Sequence, residues 1–379
     1  MANNSNKKHS RVTESEKRRR RKQVKRNRIM AGLLAVAIAV GGVVFCVNKL
    51  FGGMFGSGEQ IDEDIRTAED LQDKVVNILV CGVDYTDGRT SANTDTMLYV
   101  TLDVEGKKVS ALQIPRDTFV GDDVKTGGSK KFNAVYGHGD AENQIMNLVR
   151  VVNDKLGLAV DHYVTLDMDA LIAMVDWIDW GFEMYVPYPV ILVDKNTGET
   201  NTLISEPGWY KLGGEQVEVI VRNRNYPGGD TARLEVQNYF YASLIKNFME
   251  NLNVSDFIKV LPRFTQYITT DLSMTRIASM AKFGFTVAYE DMTLVKPAVN
   301  GYDVIYEGKT NKSNILVADK EDWANVLNTY FRPYQDRISA DRLKLPGTPP
   351  AGEVVADYGR VPGSLRTIGD ILAGAQPAE

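Results

Sequence analysis

Cysteine and histidine are scarce in this chain of 379 residues. The two cysteines are Cys46 and Cys81, and Cys46 lies inside a long apolar run that Cys81 could hardly reach, which excludes a disulfide-stapled scaffold. The three histidines, His9, His138 and His162, do not share the spacing of metal ligands. The sequence therefore indicates neither a disulfide framework nor a zinc site.

Four common motifs of enzymes are also missing. The chain contains no Gly-x-x-x-x-Gly-Lys-Ser/Thr loop, no Gly-x-Gly-x-x-Gly after a predicted strand, no His-Glu-x-x-His and no Gly-x-Ser-x-Gly. Their absence argues against nucleotide hydrolysis, nicotinamide chemistry, zinc proteolysis and serine esterase chemistry.

The charge of the chain is divided unevenly. Residues 1–28 contain twelve of the 44 Lys and Arg residues but two of the 49 Asp and Glu residues, so a basic segment precedes an acidic remainder. A run of 19 uncharged residues follows, from Ile29 through Val47. About 20 apolar residues cross a bilayer as a helix, so this run predicts a transmembrane helix. The basic flank predicts a cytoplasmic N-terminus and an extracytoplasmic remainder.

Two other interpretations of these segments fit less well. A cleaved signal peptide usually has an apolar stretch of about 7–15 residues and a small-x-small cleavage site, which this sequence matches poorly. A basic arm could bind nucleic acid, but the adjoining apolar span makes membrane topology and anionic lipid the simpler role, so we expect no nucleic-acid partner. Outside the cell ATP is scarce, and any group transfer there must use a substrate that is already activated.

Strand and helix patterns alternate after the apolar run. Residues 75–83 (VVNILVCGV) form an almost continuous apolar run interrupted by Asn77, which predicts a central strand buried on both faces. Strand-like runs at 97–104 and 108–114 are joined by a short Gly-containing connection that suits a hairpin. Helical spacing over 141–156 ends at Gly157, a typical C-cap. We predict an α/β fold with a mixed central sheet covered by helices on both faces.

The second half of the chain has weaker patterns. A strand is predicted at 162–166, and residues 183–193 are strand-like but contain two prolines, which favours edge positions, before a polar loop at 194–201. Residues 231–289 have mostly helical spacing. Past Leu345 the chain becomes rich in proline and glycine, which predicts a peripheral, loosely packed tail.

Two aspartates lie at the ends of predicted strands. Asp84 ends the buried strand and Asp95 precedes the next one, so both carboxylates can meet at one edge of the sheet. Such oxygen ligands suit Mg²⁺, which takes one or two carboxylates together with phosphate and water. Aspartates at strand ends also commonly cap turns, so the pair by itself leaves both roles open.

The sequence also contains arginines that could share one cleft. Arg116 follows a strand-like run, Arg222 and Arg224 would lie on one face if their segment is extended, and Arg233 and Gln237 are four apart on one helical face. Arginines directed at one cleft would neutralise a diphosphate, because the guanidinium binds phosphate oxygens in a bidentate manner. A single arginine is more often solvated surface charge.

Six stretches of the chain resemble, in order, the motifs of the LytR-CpsA-Psr family of cell-wall glycopolymer ligases. They are NILVCGVD (77–84), NTDTMLYVTLD (93–103), KKVSALQIPRDTFV (107–120), KFNAVYGHG (131–139), GGEQVEVIVRNR (213–224) and GGDTARLEVQ (228–237). Each stretch alone is weak evidence for the family, but six stretches in the order of the family are specific evidence.

This resemblance implies a three-layer α/β/α domain outside the membrane that takes a glycan from polyprenyl pyrophosphate and transfers its phosphate to peptidoglycan, as in the attachment of teichoic acid or capsule. It implies Mg²⁺ at Asp84 and Asp95, and activation of the acceptor hydroxyl by Asp230. The resemblance also implies that the pyrophosphate is bound by Arg116, Lys131, Arg222, Arg224, Arg233 and Gln237. Among these, Arg116, Arg222 and Arg224 would also act in catalysis.

We therefore predict five segments. They are a basic cytoplasmic tail (1–28), a transmembrane helix (29–47), a Gly-rich stalk (48–60), a catalytic domain (61–345) and a Pro/Gly-rich tail (346–379).

The sequence departs from the family pattern at Asn93, Ala232 and Val236, where the family usually has Arg, Gly and Arg. Two other functions stay open for this chain. One is a non-catalytic envelope protein that binds polyprenyl-pyrophosphate glycans, and the other is a pyrophosphatase that uses water as the acceptor. Dependence on the acceptor would separate a ligase from a pyrophosphatase.

Overall fold

The computed structural model describes residues 61, 66–84, 92–178, 180–193, 197–227, 229–253, 255–257, 259 and 267–375. The predicted cytoplasmic tail, transmembrane helix and stalk (1–60) lie outside these residues. Within the described part of the chain, no helix has the length and apolar character needed to cross a membrane.

Strands and helices alternate through the described residues. The strands are β1 (Val75–Asp84), β2 (Asn93–Asp103), β3 (Lys108–Gln113), β4 (His162–Leu166), β5 (Phe182–Val186), β6 (Val190–Val193), β7 (Thr200–Ile204), β8 (Gly208–Leu212), β9 (Ile268–Thr270), β10 (Met292–Lys296), β11 (Val299–Tyr306), β12 (Lys312–Ala318), β13 (Gly352–Val361) and β14 (Ser364–Thr367). The α-helices are α1 (Val135–His138), α2 (Ile145–Leu156), α3 (Met168–Asp176), α4 (Gly214–Arg222), α5 (Asp230–Asn251), α6 (Met274–Gly284), α7 (Lys320–Tyr330) and α8 (Ile368–Ala373).

A seven-stranded mixed sheet forms the centre of the molecule, in the order β14-β10-β3-β2-β1-β4-β9. Strand β1 pairs antiparallel with β2 and parallel with β4, and β3 pairs parallel with β10. The predicted hairpin of β2 and β3 is confirmed. At its turn, Gly106 donates its backbone N–H to Asp103 Oδ1 at 2.7 Å. A Cβ at Gly106 would lie 2.2 Å from Asp103 Oδ2, so a larger residue there would displace the Asp103 side chain and its hydrogen bond.

Alternate side chains of β1 enter two different cores. Ile78 and Val80 pack in a core with helices α3, α4, α5, α6 and α8. Leu79 and Cys81 pack in the other core with α1, α2 and α7. Because successive side chains of a strand point to opposite faces, the continuous apolar run reflects helices on both sides of the sheet. The predicted central strand and the α/β/α layering are confirmed.

The other predicted elements agree with the structure to different degrees. Helix α2 ends where predicted, with Gly157 in the left-handed conformation at φ 61°. Residues 183–193 form parts of two separate strands, β5 and β6, with the prolines between them. The predicted helical region 231–289 contains α5 and α6, but it also contains β9, which pairs with β4 at one edge of the sheet.

The predicted loose tail is wrong for residues 352–375. Strand β13 pairs with β11 in a three-stranded sheet of order β12-β11-β13, and β14 pairs with β10 at the edge of the central sheet. Helix α8 buries Ile368 and Ile371 in the core. The segment is ordered by backbone hydrogen bonds to distant strands. Its high content of proline and glycine gives no information about such pairing.

The side chain of Asp303 links all three strands of the smaller sheet, in addition to their backbone pairing. Asp303 of β11 accepts hydrogen bonds from Lys312 Nζ of β12 at 2.7 Å and from Tyr358 Oη of β13 at 2.8 Å. The hydrogen bonds from Lys312 and Tyr358 lower the pKa of Asp303 to about 2.

We expect Asp303→Asn to reduce the acid sensitivity of unfolding. A carboxyl whose pKa is lowered by folding stabilises the fold above its unfolded pKa of about 3.9, and this contribution is lost as the pH falls toward the folded pKa. The thermal midpoint of the variant should be below that of the wild type at pH 7 and should change less between pH 4 and pH 2. Asp341→Asn, at an exposed site, is the control, and identical profiles for wild type and Asp303→Asn would contradict this prediction.

Candidate active site

A cavity of about 440 Å³ opens at the edge of the central sheet where β2 begins and β3 ends. Residues of α5 line one side of it, and residues of β11, β12 and β13 line another. The polar side chains that line the cavity include Asp95, Arg116, Asp117, Arg233, Gln237 and Lys296. The cavity therefore brings together four of the residues that the sequence predicted for pyrophosphate and metal binding.

A β-bulge places Asp95 at this cavity. Gly82 of β1 pairs with Thr96 and Val83 pairs with Thr94, so Asp95 is the extra residue of β2. Bulges redirect side chains and are frequent next to active sites. Asp95 Oδ1 accepts a hydrogen bond from Arg116, which lies just after the end of β3.

Arg116 is held between two carboxylates. Its Nη1 donates to Asp95 Oδ1 at 2.8 Å, and its Nε lies 3.4 Å from Asp117 Oδ2. The Arg116 side chain is 27% exposed, so the guanidinium is partly shielded from water but still reachable from the cavity. An arginine fixed in this way can bind a phosphate oxygen with little further loss of conformational freedom.

Lys131 joins the same charged cluster. Its Nζ donates to Asp117 Oδ1 at 2.8 Å, and the backbone N–H of the nearby Asn133 donates to Arg116 O at 3.0 Å. Lys131 does not line the cavity, but Asp117 connects it to Arg116. The sequence prediction that these two cations are neighbours of one site is consistent with this arrangement.

Arg233 and Gln237 reach the cavity from α5. They lie one helical turn apart and are 6% and 1% exposed. Gln237 Nε2 donates to Val221 O of α4 at 3.1 Å, which fixes the amide at the cavity wall. The shared helical face predicted from the spacing is confirmed. Asp230 begins α5 one turn before Arg233, and its side chain lies outside the described residues.

The extended segment considered for Arg222 and Arg224 is not present. Arg222 is the last residue of α4, where its Nη1 donates to Glu218 Oε1 one turn earlier. Arg224 lies in the following irregular segment and is exposed. Apolar residues at helical spacing in 217–221 determine the helix, so the two arginines do not alternate along a strand. Their assignment to pyrophosphate stays a prediction.

Three further side chains of the cavity were not found from the sequence. Lys296 ends β10, and Tyr241 lies one turn beyond Gln237 on α5. Asn314 comes from β12. The sequence holds no local signal for Lys296, which reaches this edge because β10 pairs parallel with β3. Burial raises the pKa of the Tyr241 phenol, so this residue stays neutral.

The residues at this edge fit a magnesium ion that substrate phosphate would complete. Asp95 keeps carboxylate lone pairs beyond the one used by Arg116. Asp84 lies at the end of β1, where its backbone pairs with Asn93, but its side chain lies outside the described residues. No group of three or more His, Cys, Asp or Glu side chains suited to a metal occurs in the described part of the chain. One or two carboxylates with phosphate and water are what Mg²⁺ takes.

The model of the LytR_cpsA_psr family matches residues 54–329 of this chain. The chain belongs to the LytR-CpsA-Psr family. The resemblance predicted from the six motifs is therefore confirmed, and the cavity lies within the matched residues except for Val361 of β13.

Two relatives and one solved structure show how far the similarity extends. The chain is 28% identical over 284 residues to Biofilm regulatory protein A of Streptococcus mutans, which covers 70% of this chain and 64% of that protein. It is 27% identical over 282 residues to the polyisoprenyl-teichoic acid–peptidoglycan teichoic acid transferase TagV of Bacillus subtilis, which covers 70% of this chain and 69% of TagV. The crystal structure of B. subtilis TagV matches with a TM-score of 0.54 at 22% identity, over 68% of this chain and 96% of that chain. The chain thus spans less than two thirds of the length of the first relative, and the structural match shows a shared fold.

The departures from the LytR-CpsA-Psr pattern on α5 fall at buried positions. Ala232 is 4% exposed and Val236 is 0% exposed. An arginine at 236 would place a charge in the apolar core of this chain, where burial of an unpaired charge is costly. Position 236 of α5 thus faces the core in this chain, and Arg233 is the arginine of α5 that lines the cavity.

Proposed function

We propose that this chain is a phosphotransferase that moves a glycan phosphate from a polyprenyl-pyrophosphate carrier onto peptidoglycan. The observation that supports this function best is the cavity that Asp95, Arg116 and Arg233 line together, with Arg116 Nη1 2.8 Å from Asp95 Oδ1. The name of TagV describes this kind of transfer for a relative of similar sequence and fold.

The cavity is lined by both charged and apolar side chains, which suits a ligand that joins a pyrophosphate to a lipid. The arginines of the cavity would neutralise the pyrophosphate oxygens through bidentate hydrogen bonds. The apolar side chains that line the cavity include Met97, Leu98, Ile114, Val299 and Leu316. These side chains would contact the first isoprenoid units, which gain free energy by leaving water.

The proposed reaction is a single phosphoryl displacement. The oxygen of a peptidoglycan hydroxyl attacks the phosphorus that carries the glycan, and the bond from that phosphorus to the bridging oxygen breaks. Polyprenyl monophosphate leaves with the bonding electron pair, and the hydroxyl proton passes to the carboxylate of Asp230. Phosphoryl transfer depends mainly on positioning and charge stabilisation. Arg116 and Arg233, with Arg222 and Arg224 as further candidates, would stabilise the negative charge that develops on the leaving phosphate.

A magnesium ion at Asp95 and Asp84 would supply further neutralisation of the pyrophosphate oxygens when it is bound. The pyrophosphate bond itself supplies the driving force, which agrees with the lack of a nucleotide-binding loop in the sequence.

We further propose that the protein is a single-pass membrane protein. The uncharged run of 19 residues at 29–47 would be the anchor, with residues 1–28 in the cytoplasm and the cavity outside the membrane. This topology would place the cavity on the side where peptidoglycan is found.

Transfer can be tested with the full-length protein in detergent micelles. The donor is a synthetic polyprenyl-pyrophosphate saccharide, and mass spectrometry follows polyprenyl monophosphate and the acceptor with and without peptidoglycan fragments. The proposal requires release of monophosphate together with glycan phosphate on the acceptor. Release of free phosphosugar without modified acceptor would instead show a pyrophosphatase, and retention of the intact lipid would show a binding protein.

Lys296→Met should weaken binding of the donor. Lys296 lines the cavity at the end of β10, and a charged hydrogen bond to phosphate contributes about 1.5–3 kcal/mol, or roughly tenfold or more in binding. We expect KM for the lipid donor to rise about tenfold, with a smaller change in kcat. Lys344→Met, at an exposed lysine, serves as the control. An unchanged KM would remove Lys296 from the donor site.

A further inference from the structure

A second cavity lies at the other end of the central sheet. It has a volume of about 410 Å³ and lies where β1 and β4 begin, beside Asp271, which directly follows β9. Strand β1 has 10 residues and runs from this cavity to the candidate active site. At about 3.3 Å per residue, the two cavities are roughly 30 Å apart. This cavity is therefore separate from the one that would hold the lipid pyrophosphate.

The two carboxylates of this cavity, Asp161 and Asp271, accept hydrogen bonds from other groups of the protein. Asp161 accepts from the backbone and hydroxyl of Thr67, both at 2.8 Å, and from Asn77 N at 2.7 Å. Asp271 accepts from Tyr163 N at 2.9 Å, and its Oδ2 lies 2.8 Å from His162 Nδ1. Both carboxylates are buried. They therefore position the groups around them and present little negative surface to the cavity.

The cavity also contains the amide of Gln72, which donates to Thr67 O at 2.9 Å, and two guanidinium groups. Arg66 lies 3.9 Å from Asp271 Oδ2 and is 23% exposed, and Arg276 lies on the first turn of α6. Ser273 caps this 11-residue helix by accepting from Arg276 N at 3.1 Å, so the positive end of α6 also faces the cavity. Two guanidiniums, a histidine and a helix N-terminus thus meet in one polar cavity.

We propose that this second cavity binds a phosphate-bearing anion. Guanidinium groups bind phosphate oxygens in a bidentate manner, and a helix N-terminus favours the same charge. The volume exceeds that of a phosphate ion, so the group can be a phosphomonoester or a phosphodiester with part of its substituent. The phosphate can come from an anionic lipid headgroup or from a soluble phosphate ester, and the test distinguishes these sources. The proposal does not depend on the transferase activity.

The test uses the full-length protein in neutral detergent micelles and phosphate-free buffer. Calorimetry measures binding of inorganic phosphate, glycerol 3-phosphate and short-chain phosphatidylglycerol, with short-chain phosphatidylcholine as the zwitterionic comparison. We expect saturable binding to the wild type and at least about tenfold weaker binding to Arg276→Gln, because a charged hydrogen-bond donor is lost. Lys282→Gln, in the last turn of the same helix, makes the same change of charge outside the cavity and should bind like the wild type.

The outcomes separate a ligand site from a purely structural ion network. Tight binding of phosphatidylglycerol with weak binding of the soluble esters would assign the site to a lipid headgroup, and the reverse would assign it to a soluble ester. Absence of saturable binding, or equal binding by Arg276→Gln and Lys282→Gln, would overturn the proposal. Thermal unfolding checks the fold of Arg276→Gln. If that variant is unfolded, Arg276→Lys keeps the charge without the planar fork, and it should bind phosphate more weakly than Lys282→Gln does.

Discussion

Arg116→Ala is expected to lower the rate of glycan transfer by about 10²–10³-fold, the usual effect of removing one preorganised charge-stabilising donor. Arg116 is already held by Asp95 and Asp117 without substrate, so its guanidinium is positioned where the pyrophosphate would bind. It follows β3 in a loop and is outside the buried core, so the thermal midpoint should change little. Steady-state release of polyprenyl monophosphate, measured by mass spectrometry, gives the rate.

Two variants make this experiment specific for the guanidinium. Arg116→Lys keeps the charge but not the bidentate fork, so we expect a rate between those of the alanine variant and the wild type. Arg342→Ala removes an exposed arginine away from the cavity and should leave the rate unchanged. A rate for Arg116→Ala within twofold of the wild-type rate would contradict the assignment of this cavity as the catalytic site.

Removal of divalent cations is expected to stop transfer, and Mg²⁺ should restore it. Asp95 is the described carboxylate that borders the cavity beside the end of β1, so Asp95→Asn should raise the Mg²⁺ concentration for half-maximal rate by at least about tenfold. The measurement is the transfer rate as a function of free Mg²⁺ after treatment with a chelator.

A second aspartate of the same strand provides the control. Asp103 ends β2 at the hairpin, away from the cavity, so Asp103→Asn should keep the Mg²⁺ requirement of the wild type. Full activity of the wild type in excess chelator would contradict the metal assignment, and it would leave charge neutralisation to the arginines alone.

The parts of the fold that the sequence predicted correctly are those with a strong local pattern. Residues 75–83 could be assigned to a central strand because a strand between two helical layers is apolar on both faces, and Asn77 is the one polar residue among them. Arg233 and Gln237 could be placed on one face because a helix has a fixed period. Asp95 was predicted just before the second strand and lies within β2, and the bulge that directs it toward Arg116 has no signature in the sequence.

The parts that were missed depend on contacts between distant segments. Lys296 and Asn314 reach the cavity because β10 pairs with β3 and because the three-stranded sheet packs beside it. Strand β13 is mostly exposed along its length, so it has no alternation of apolar and polar burial to indicate a strand. For Arg222 the short local pattern was compatible with a strand, and the helical spacing before it decided the outcome.

The pairing of β14 with β10 has a consequence for the solubility of shortened chains. A chain that stops near residue 345 would lack β13, β14 and α8, so the outer edge of β10 would present unpaired backbone N–H and C=O groups. Val295 and other apolar residues of β10 would remain next to this open edge. Such an edge is a template for strands of other molecules, and self-association into aggregates is its common result. Strand β14 takes over the outer edge of the sheet from β10, so we expect a chain that stops near residue 345 to self-associate more than one that contains β14.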